Sequence, residues 1–342
     1  MRFLIARHQR LCLLWLLILG LNPAQTAAAG TNRWTGLGPE GGIISALAID
    51  PVTPATLYAG TYGSGVFKTT TSGATWNASN TGLTNLEVSA LAVDPVTPAT
   101  VYAGTTGGVF KSTNGGATWS AASLGLTNIR VMELAIDPAT PTTLYAGTAS
   151  GVFRSASGGA IWSACNTNMP RTSVYALVLG PAGKLLAGLG VGGLFAGQGC
   201  TWTKLVGADL DLTSFYALAI DPITPTTLYA GTSDQGVIKS TAGGAWAARN
   251  AGLTNHTIFA LAMDSTAPAI LYATTNGTGV FKSTDSGDNW SAINTGLPKV
   301  IGQVLVIDPT APAILYLGTS GGVFRSADGG ASWSAVNTGL LA

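Results

Sequence analysis

Residues Val88 to Ala121 read VSALAVDPVTPATVYAGTTGGVFKSTNGGATWSA. The spacing predicts four short strands here, over 88–93, 100–105, 109–112 and 118–121. Asp94-Pro95 and Thr97-Pro98 break the first connection, because proline fixes φ and cannot donate to a ladder. Gly107-Gly108 supplies the second turn and Gly115-Gly116 the third. Four strands joined by tight turns make an antiparallel meander. The same pattern then recurs. The aspartate ending the apolar run returns at Asp50, Asp94, Asp137, Asp221, Asp264 and Asp308, with Gly180 in the fourth slot, in steps of 41 to 44 residues. Trp76, Trp119, Trp162, Trp202, Trp246, Trp290 and Trp333 keep the same beat. A fixed period of ~40–45 residues with four strands per unit is what a propeller blade requires. The expected fold is all-β, a seven-bladed β-propeller of four-stranded antiparallel blades.

The first strand explains why the units should stack in a ring. Counting back from the aspartate, the second and fourth positions are mostly alanine, as at Ala92 and Ala90, and the first and third are large, as at Val93 and Leu91. Both faces are apolar, so both are to be buried. Small residues on one face let blades approach near a narrow axis, and a single blade buries too little to stand alone.

Residues 1–29 read as an export signal: Arg2, Arg7 and Arg10, an apolar core over 11–21, then Thr26-Ala27-Ala28-Ala29. The core is well short of the ~20 residues that span a bilayer. The expected organisation is a signal peptide over 1–29 and a propeller over 30–342, secreted or periplasmic, without a membrane span after cleavage. The cleaved chain would carry 13 basic and 15 acidic residues, a net charge of −2. It has no basic stripe, so nucleic acid is not an expected partner. Charged residues are 9% of the chain, against a usual ~25%, so recognition should rest on hydrogen bonds and shape. Cys165 and Cys200 fall at the junction of repeats three and four. An oxidising compartment would allow a disulfide between them, and two separate buried thiols fit the spacing as well.

Lys282 to Trp290 and Arg325 to Trp333 carry the pattern S-x-D-x-G-x-x-W. This resembles the Asp-box of bacterial neuraminidase (BNR) repeats, found in sialidases, sortilin-type receptors and some glucan-degrading propellers. The opening Trp34 to Gly42 is similar to that of secreted propellers related to photosystem II assembly factors. The resemblance covers residues 34–342. The box is a turn-closing device, and in the other repeats Ser72, Asn114, Ser157 and Ala242 stand near its aspartate position. A sialidase-like site would need three arginines clamping a carboxylate, a tyrosine paired with a glutamate, and an acidic aspartate. After residue 29 there remain Arg33, Arg130, Arg154, Arg171, Arg249 and Arg325, and only Glu40, Glu87 and Glu133. Arg154 and Arg325 occupy the lysine slot of the third strand. Catalysis is therefore poorly supplied, and no catalytic residue, cofactor or metal site is expected.

Function in a repeat protein should lie where the template breaks. Glu133 replaces an inner alanine, either as a solvated channel lining or as a ligand contact. Glu87, Arg130, Arg171, Asp211 and His256 lie just before the first strands, with Tyr175, Tyr216, Phe259 and Gln303 a step or two inside. Asp234, Tyr62 and Asn276 come from turns between second and third strands, and all these connections build one face. The sequence supports an exported, monomeric, non-catalytic scaffold binding a protein there. The alternative is a carbohydrate-binding propeller with the aromatics as stacking platforms, and a glycoside hydrolase ranks behind both. Ring closure is expected by face packing of the last repeat on the first, with residues 32–37 dispensable.

Overall fold

In the computed structural model, residues 42–207, 210–299 and 301–340 are described. The expectations placed on the signal segment, on Trp34 and on the opening through Gly41 fall outside these residues. Seven antiparallel sheets of four strands each follow one another along the chain. Blade 1 holds β1 (Ile44–Ile49), β2 (Leu57–Thr61), β3 (Val66–Thr69) and β4 (Asn77–Ala78). Blade 2 holds β5 (Val88–Val93), β6 (Val101–Thr105), β7 (Gly108–Ser112) and β8 (Ser120–Ala121). Blades 3 to 7 repeat the plan from inner strands Val131–Ile136, Val174–Leu179, Phe215–Ile220, Ile258–Met263 and Gly302–Ile307. The protein is an all-β seven-bladed propeller.

Except in blade 4, where it runs Thr201–Lys204, the outer strand is shorter than the sequence suggests: β8 covers Ser120–Ala121, not 118–121. The reason lies in the neighbouring blade. The Trp119 N–H bonds to Thr81 O at 2.8 Å, and its indole N–H to Ser79 O at 2.7 Å, so this tryptophan pairs with the tail of blade 1 instead of its own ladder. The clamp recurs for Trp162, Trp202, Trp290 and Trp333. In the tails Thr81-Gly82-Leu83, Ala251-Gly252-Leu253 and Thr295-Gly296-Leu297 the middle residue must be glycine. A Cβ there would stand 2.0–2.2 Å from the clamped tryptophan's carbonyl oxygen.

Inner strands pack as the alternation requires. Ala46 and Ala48 of blade 1 cluster with Val88 and Leu91 of blade 2, while Leu47 turns to blade 7. The glycine of L-Y-A-G-T is the deepest contact: a Cβ on Gly60 would lie 2.6 Å from Val88, and one on Gly104 2.6 Å from Val131. Between blades 6 and 7 the roles are exchanged, with Thr274 in the glycine place and Gly302 in the β-branched place.

A second contact joins blades further out. Tyr102 Oη and Lys111 Nζ both donate to Gly158 O of blade 3, at 3.1 and 2.9 Å. Tyr229 with Lys239 reaches Ser286 O, and Tyr272 with Lys282 reaches Gly329 O, each ammonium lying over the partner ring. Burial raises the tyrosine pKa values, to about 12 for Tyr58, Tyr102 and Tyr229.

The ring closes by the same devices. Trp76 N–H and indole N–H bond to Thr338 O and Val336 O, both at 2.8 Å, and Leu340 is buried with Ile44 and Trp76. Blade 7 and blade 1 each complete their sheets from their own strands, so they meet by face packing. Blade 4 is the exception in the ring. Leu186 and Ala196 replace the tyrosine and lysine, and a two-residue turn, Gly199-Cys200, replaces the longer third turn. Here Cys165 and Cys200 form a disulfide joining blades 3 and 4.

Candidate functional site

The third turns carry the S-x-D-type pattern, with carboxylates at Asp285 and Asp328. Asp285 accepts from Asn289 N at 2.9 Å, Asn289 Nδ2 at 2.8 Å and Ser283 Oγ at 2.8 Å. Asp328 accepts likewise from Ser332 and Ser326. These bonds hold both carboxyls at about 2. Asn114 and Ser157 supply the same acceptor in blades 2 and 3. In blade 1 the residue doing so is Thr71, not Ser72, since Thr75 N bonds to Thr71 Oγ1 at 3.2 Å. Every oxygen is used in closing its own turn, so these positions are structural.

The opposite face is built by the approaches to the inner strands and the turns between second and third strands. Backbone bonds tie the two sets together: Ala149 N to Arg130 O, Gly190 N to Ser173 O, Gly236 N to His256 O and Asn276 N to Thr257 O. In every blade the inner strand slips register between its first and third residues, as between Val174 and Ala176 or Phe215 and Ala217. The second residue is thereby left out of the ladder, and such a bulge re-aims its side chain. The seven bulged residues are Ser45, Ser89, Met132, Tyr175, Tyr216, Phe259 and Gln303. Rings from adjacent blades meet: Tyr175 and Tyr216 are 5.6 Å apart between centroids, Tyr216 and Phe259 5.7 Å, tilted by 48° and 34°. Spacing and tilt suit attractive aromatic pairs. Blades 4 to 6 thus carry a continuous aromatic arc at one end of the inner strands. Ser45, whose hydroxyl bonds to Gly60 O and Val88 O, belongs to the polar part of the same set.

Of the other candidates, Gln303 joins this set as its seventh member. Glu133 is half-buried one step further along, and its carboxylate accepts from Leu134 N at 3.3 Å. Glu87 accepts from Thr106 Oγ1 at 3.1 Å. Arg130, Arg171, Asp234 and His256 are exposed on connections of different blades. Ion pairs form between Lys204 and Asp211 and between Arg249 and Asp288. Among the described residues no group of three or more His, Cys, Asp or Glu could hold a metal ion, and no helix is long and apolar enough to cross a membrane. The bulge, and with it Met132, Ser45 and Ser89 as members of the same ring, escaped the sequence reading. Their equal distance from the aspartate of each repeat was the available signal.

No protein-family model matches the chain, and no curated protein matches it. Solved structures do. The crystal structure of the Niastella koreensis GH74 enzyme superposes with a TM-score of 0.73 at 20% identity, over 89% of this chain and 55% of that one. YCF48 bound to D1 peptide gives 0.65 at 15% identity, over 84% of this chain and 94% of that one. The extracellular domain of BT4673, a putative hybrid two component system of B. thetaiotaomicron, gives 0.66 at 17% identity, over 85% and 38%. The chain therefore spans about half the length of the Niastella koreensis enzyme. At these identities the likeness is one of fold: the class is the seven-bladed β-propeller.

Proposed function

We propose that this chain is an exported, non-catalytic propeller that binds a protein partner on the face carrying the aromatic arc. The observation that carries the reading is the arc itself. Tyr175, Tyr216 and Phe259 are neighbours in three consecutive blades, at positions where blades 1 and 2 place Ser45 and Ser89. Aromatic side chains with a polar handle are the commonest anchors of protein interfaces. Exposed apolar residues continue the face outward, with Tyr62, Ile129, Val191 and Leu212 on its connections and turns. YCF48, a propeller matched over 94% of its length, was solved with a peptide bound, which favours recognition by a single ring of this size. The S-x-D-type turns support kinship with Asp-box repeats, and residues 1–29 supply the export signal in this reading.

Cross-linking in the native envelope, followed by capture on wild-type and Tyr216→Ala/Phe259→Ala protein, tests the proposal. One protein retained by the wild type and lost from the double variant is expected. Equal retention by both, or hydrolase turnover abolished by Glu133→Gln, would overturn it. The arc also favours a second reading, stacking against a sugar ring. Binding on a glycan array that the same double variant abolishes would replace the protein partner with a carbohydrate.

A further inference from the structure

Two asparagines in this chain precede glycine, Asn114 and Asn276, and the fold treats them in opposite ways. Glycine leaves the following amide unhindered, so an Asn-Gly pair is the sequence most open to intramolecular attack on the side-chain amide. At Asn114 every participant is engaged. Its Oδ1 accepts from Thr118 N at 2.9 Å and from Ser112 Oγ at 2.9 Å, its Nδ2 donates to Thr118 Oγ1 at 2.8 Å, and Gly115 N donates to Ala99 O at 2.8 Å. At Asn276 only the backbone is engaged, through Asn276 N to Thr257 O at 3.1 Å and Asn255 Nδ2 to Asn276 O at 2.9 Å. Its carboxamide is exposed and makes no hydrogen bond among the described residues, and Gly277 has a φ of +78° with nothing within 4 Å of where a Cβ would stand.

We infer that Asn276 is a site of spontaneous deamidation in the folded protein, while Asn114 is protected by its turn. The Gly277 amide nitrogen, losing its proton to solvent, attacks Cγ of Asn276. The C–N bond of the carboxamide breaks and ammonia leaves, closing a succinimide. One water then opens either ring carbonyl, giving aspartate or isoaspartate. The net change is one water consumed and one ammonia released, with no oxidant or reductant.

The consequence is local to the face carrying the arc. Asn276 sits in the turn between Leu271–Thr275 and Gly279–Ser283, against the 255–257 connection that carries His256 and leads to Phe259. Conversion adds one negative charge there. The isoaspartate form also lengthens the main chain by a methylene and cannot keep both bonds to 255 and 257. The reaction itself does not depend on whether that face binds a partner.

Native full-length protein aged in mildly alkaline buffer, then digested and mass-mapped, tests this. Holding a reacting pair out of attack geometry costs up to about 100-fold in rate, so the 276 peptide should convert at least about tenfold faster than the 114 peptide. In denaturant the two rates should converge, because the turn that protects Asn114 is gone. Gly277→Ala should slow conversion at 276 in both states. Equal native rates, faster conversion at 114, or a native 276 peptide that stays intact while the denatured one reacts would each overturn the inference.

Discussion

Blades 6 and 7 on one side of the ring and blades 4 and 5 on the other join by different means. Between blades 6 and 7 the Trp333 clamp, the Tyr272–Lys282 pair on Gly329 O and the apolar faces act together. Between blades 4 and 5 neither the clamp nor the pair is present among the described residues. Counting from Trp202, blade 4 has Gly207-Ala208-Asp209 where blade 1 has Thr81-Gly82-Leu83, the turn before Trp246 is one residue shorter than that before Trp290, and Trp246 is only half-buried. What remains is a smaller cluster around Phe215 and Ile238, Ser214 Oγ on Gly190 O at 2.7 Å, and Lys184 Nζ on Pro225 O at 3.3 Å. The other flank of blade 4 keeps its clamp through Trp202, but Arg154 Nε there is buried without an acceptor, because the two-residue turn provides none. The disulfide lies at that flank. A ring tolerates one poor seam if its neighbours hold, since each blade contacts only the two beside it.

The largest difference between the two seams is expected at the tryptophans. Trp333→Ala should cost ~3–5 kcal/mol, as for a large core residue, whereas Trp246→Ala should cost about 1 kcal/mol, both read from denaturant unfolding. Similar losses would mean that the two seams are equally tight. Replacing Cys165 and Cys200 together by serine should cost ~2–4 kcal/mol. Hydrogen exchange should then accelerate first over 174–204, the lowest-stability unit. Uniform acceleration around the ring would contradict a local weakness in blade 4.

The exchanged pair between blades 6 and 7 sharpens the same question. Gly302→Val should overpack against Thr274 and cost ~1–3 kcal/mol. Adding Thr274→Gly should recover at least about 1 kcal/mol of it, a coupling read by a double-mutant cycle. Additive losses would show that the two positions do not touch. The smallest effect is electrostatic. Asp285 and Asp328 titrate at about 2 in the folded chain, below the ordinary 3.8, because side-chain and backbone donors favour the carboxylate. A depressed folded value means stability that is present above the unfolded pKa and lost as pH falls through the folded one. Acid titration from 3.8 to about 2 should therefore loosen blades 6 and 7. Asp285→Asn/Asp328→Asn should flatten that dependence, and an unchanged slope would refute the assignment.

The architecture was legible because each blade repeats one local solution: aspartate-proline stops, glycine turns, small and large residues on alternate faces. Those are short-range rules, and each copy reinforces the others. They place Val88–Val93 as an inner strand without any knowledge of its neighbours. The candidate site was legible only in part. Tyr175, Tyr216 and Phe259 stood out as departures from the template, but their contact depends on a register slip and on three blades meeting near the axis. Neither is encoded in one repeat. The sequence left Cys165 and Cys200 open between bonded and separate; the two-residue turn that brings Cys200 to blade 3 settled it. The charged candidates Arg130, Arg171, Asp234 and His256 fall in different repeats already in the sequence, and the structure holds each exposed on its own connection or turn. The blade, the number of blades and the alternation that buries both faces follow from the chain alone, because strand period and turn chemistry act within a few residues. Which side chains from separate blades come together follows only from the assembled ring, because it depends on how rigid units dock around an axis.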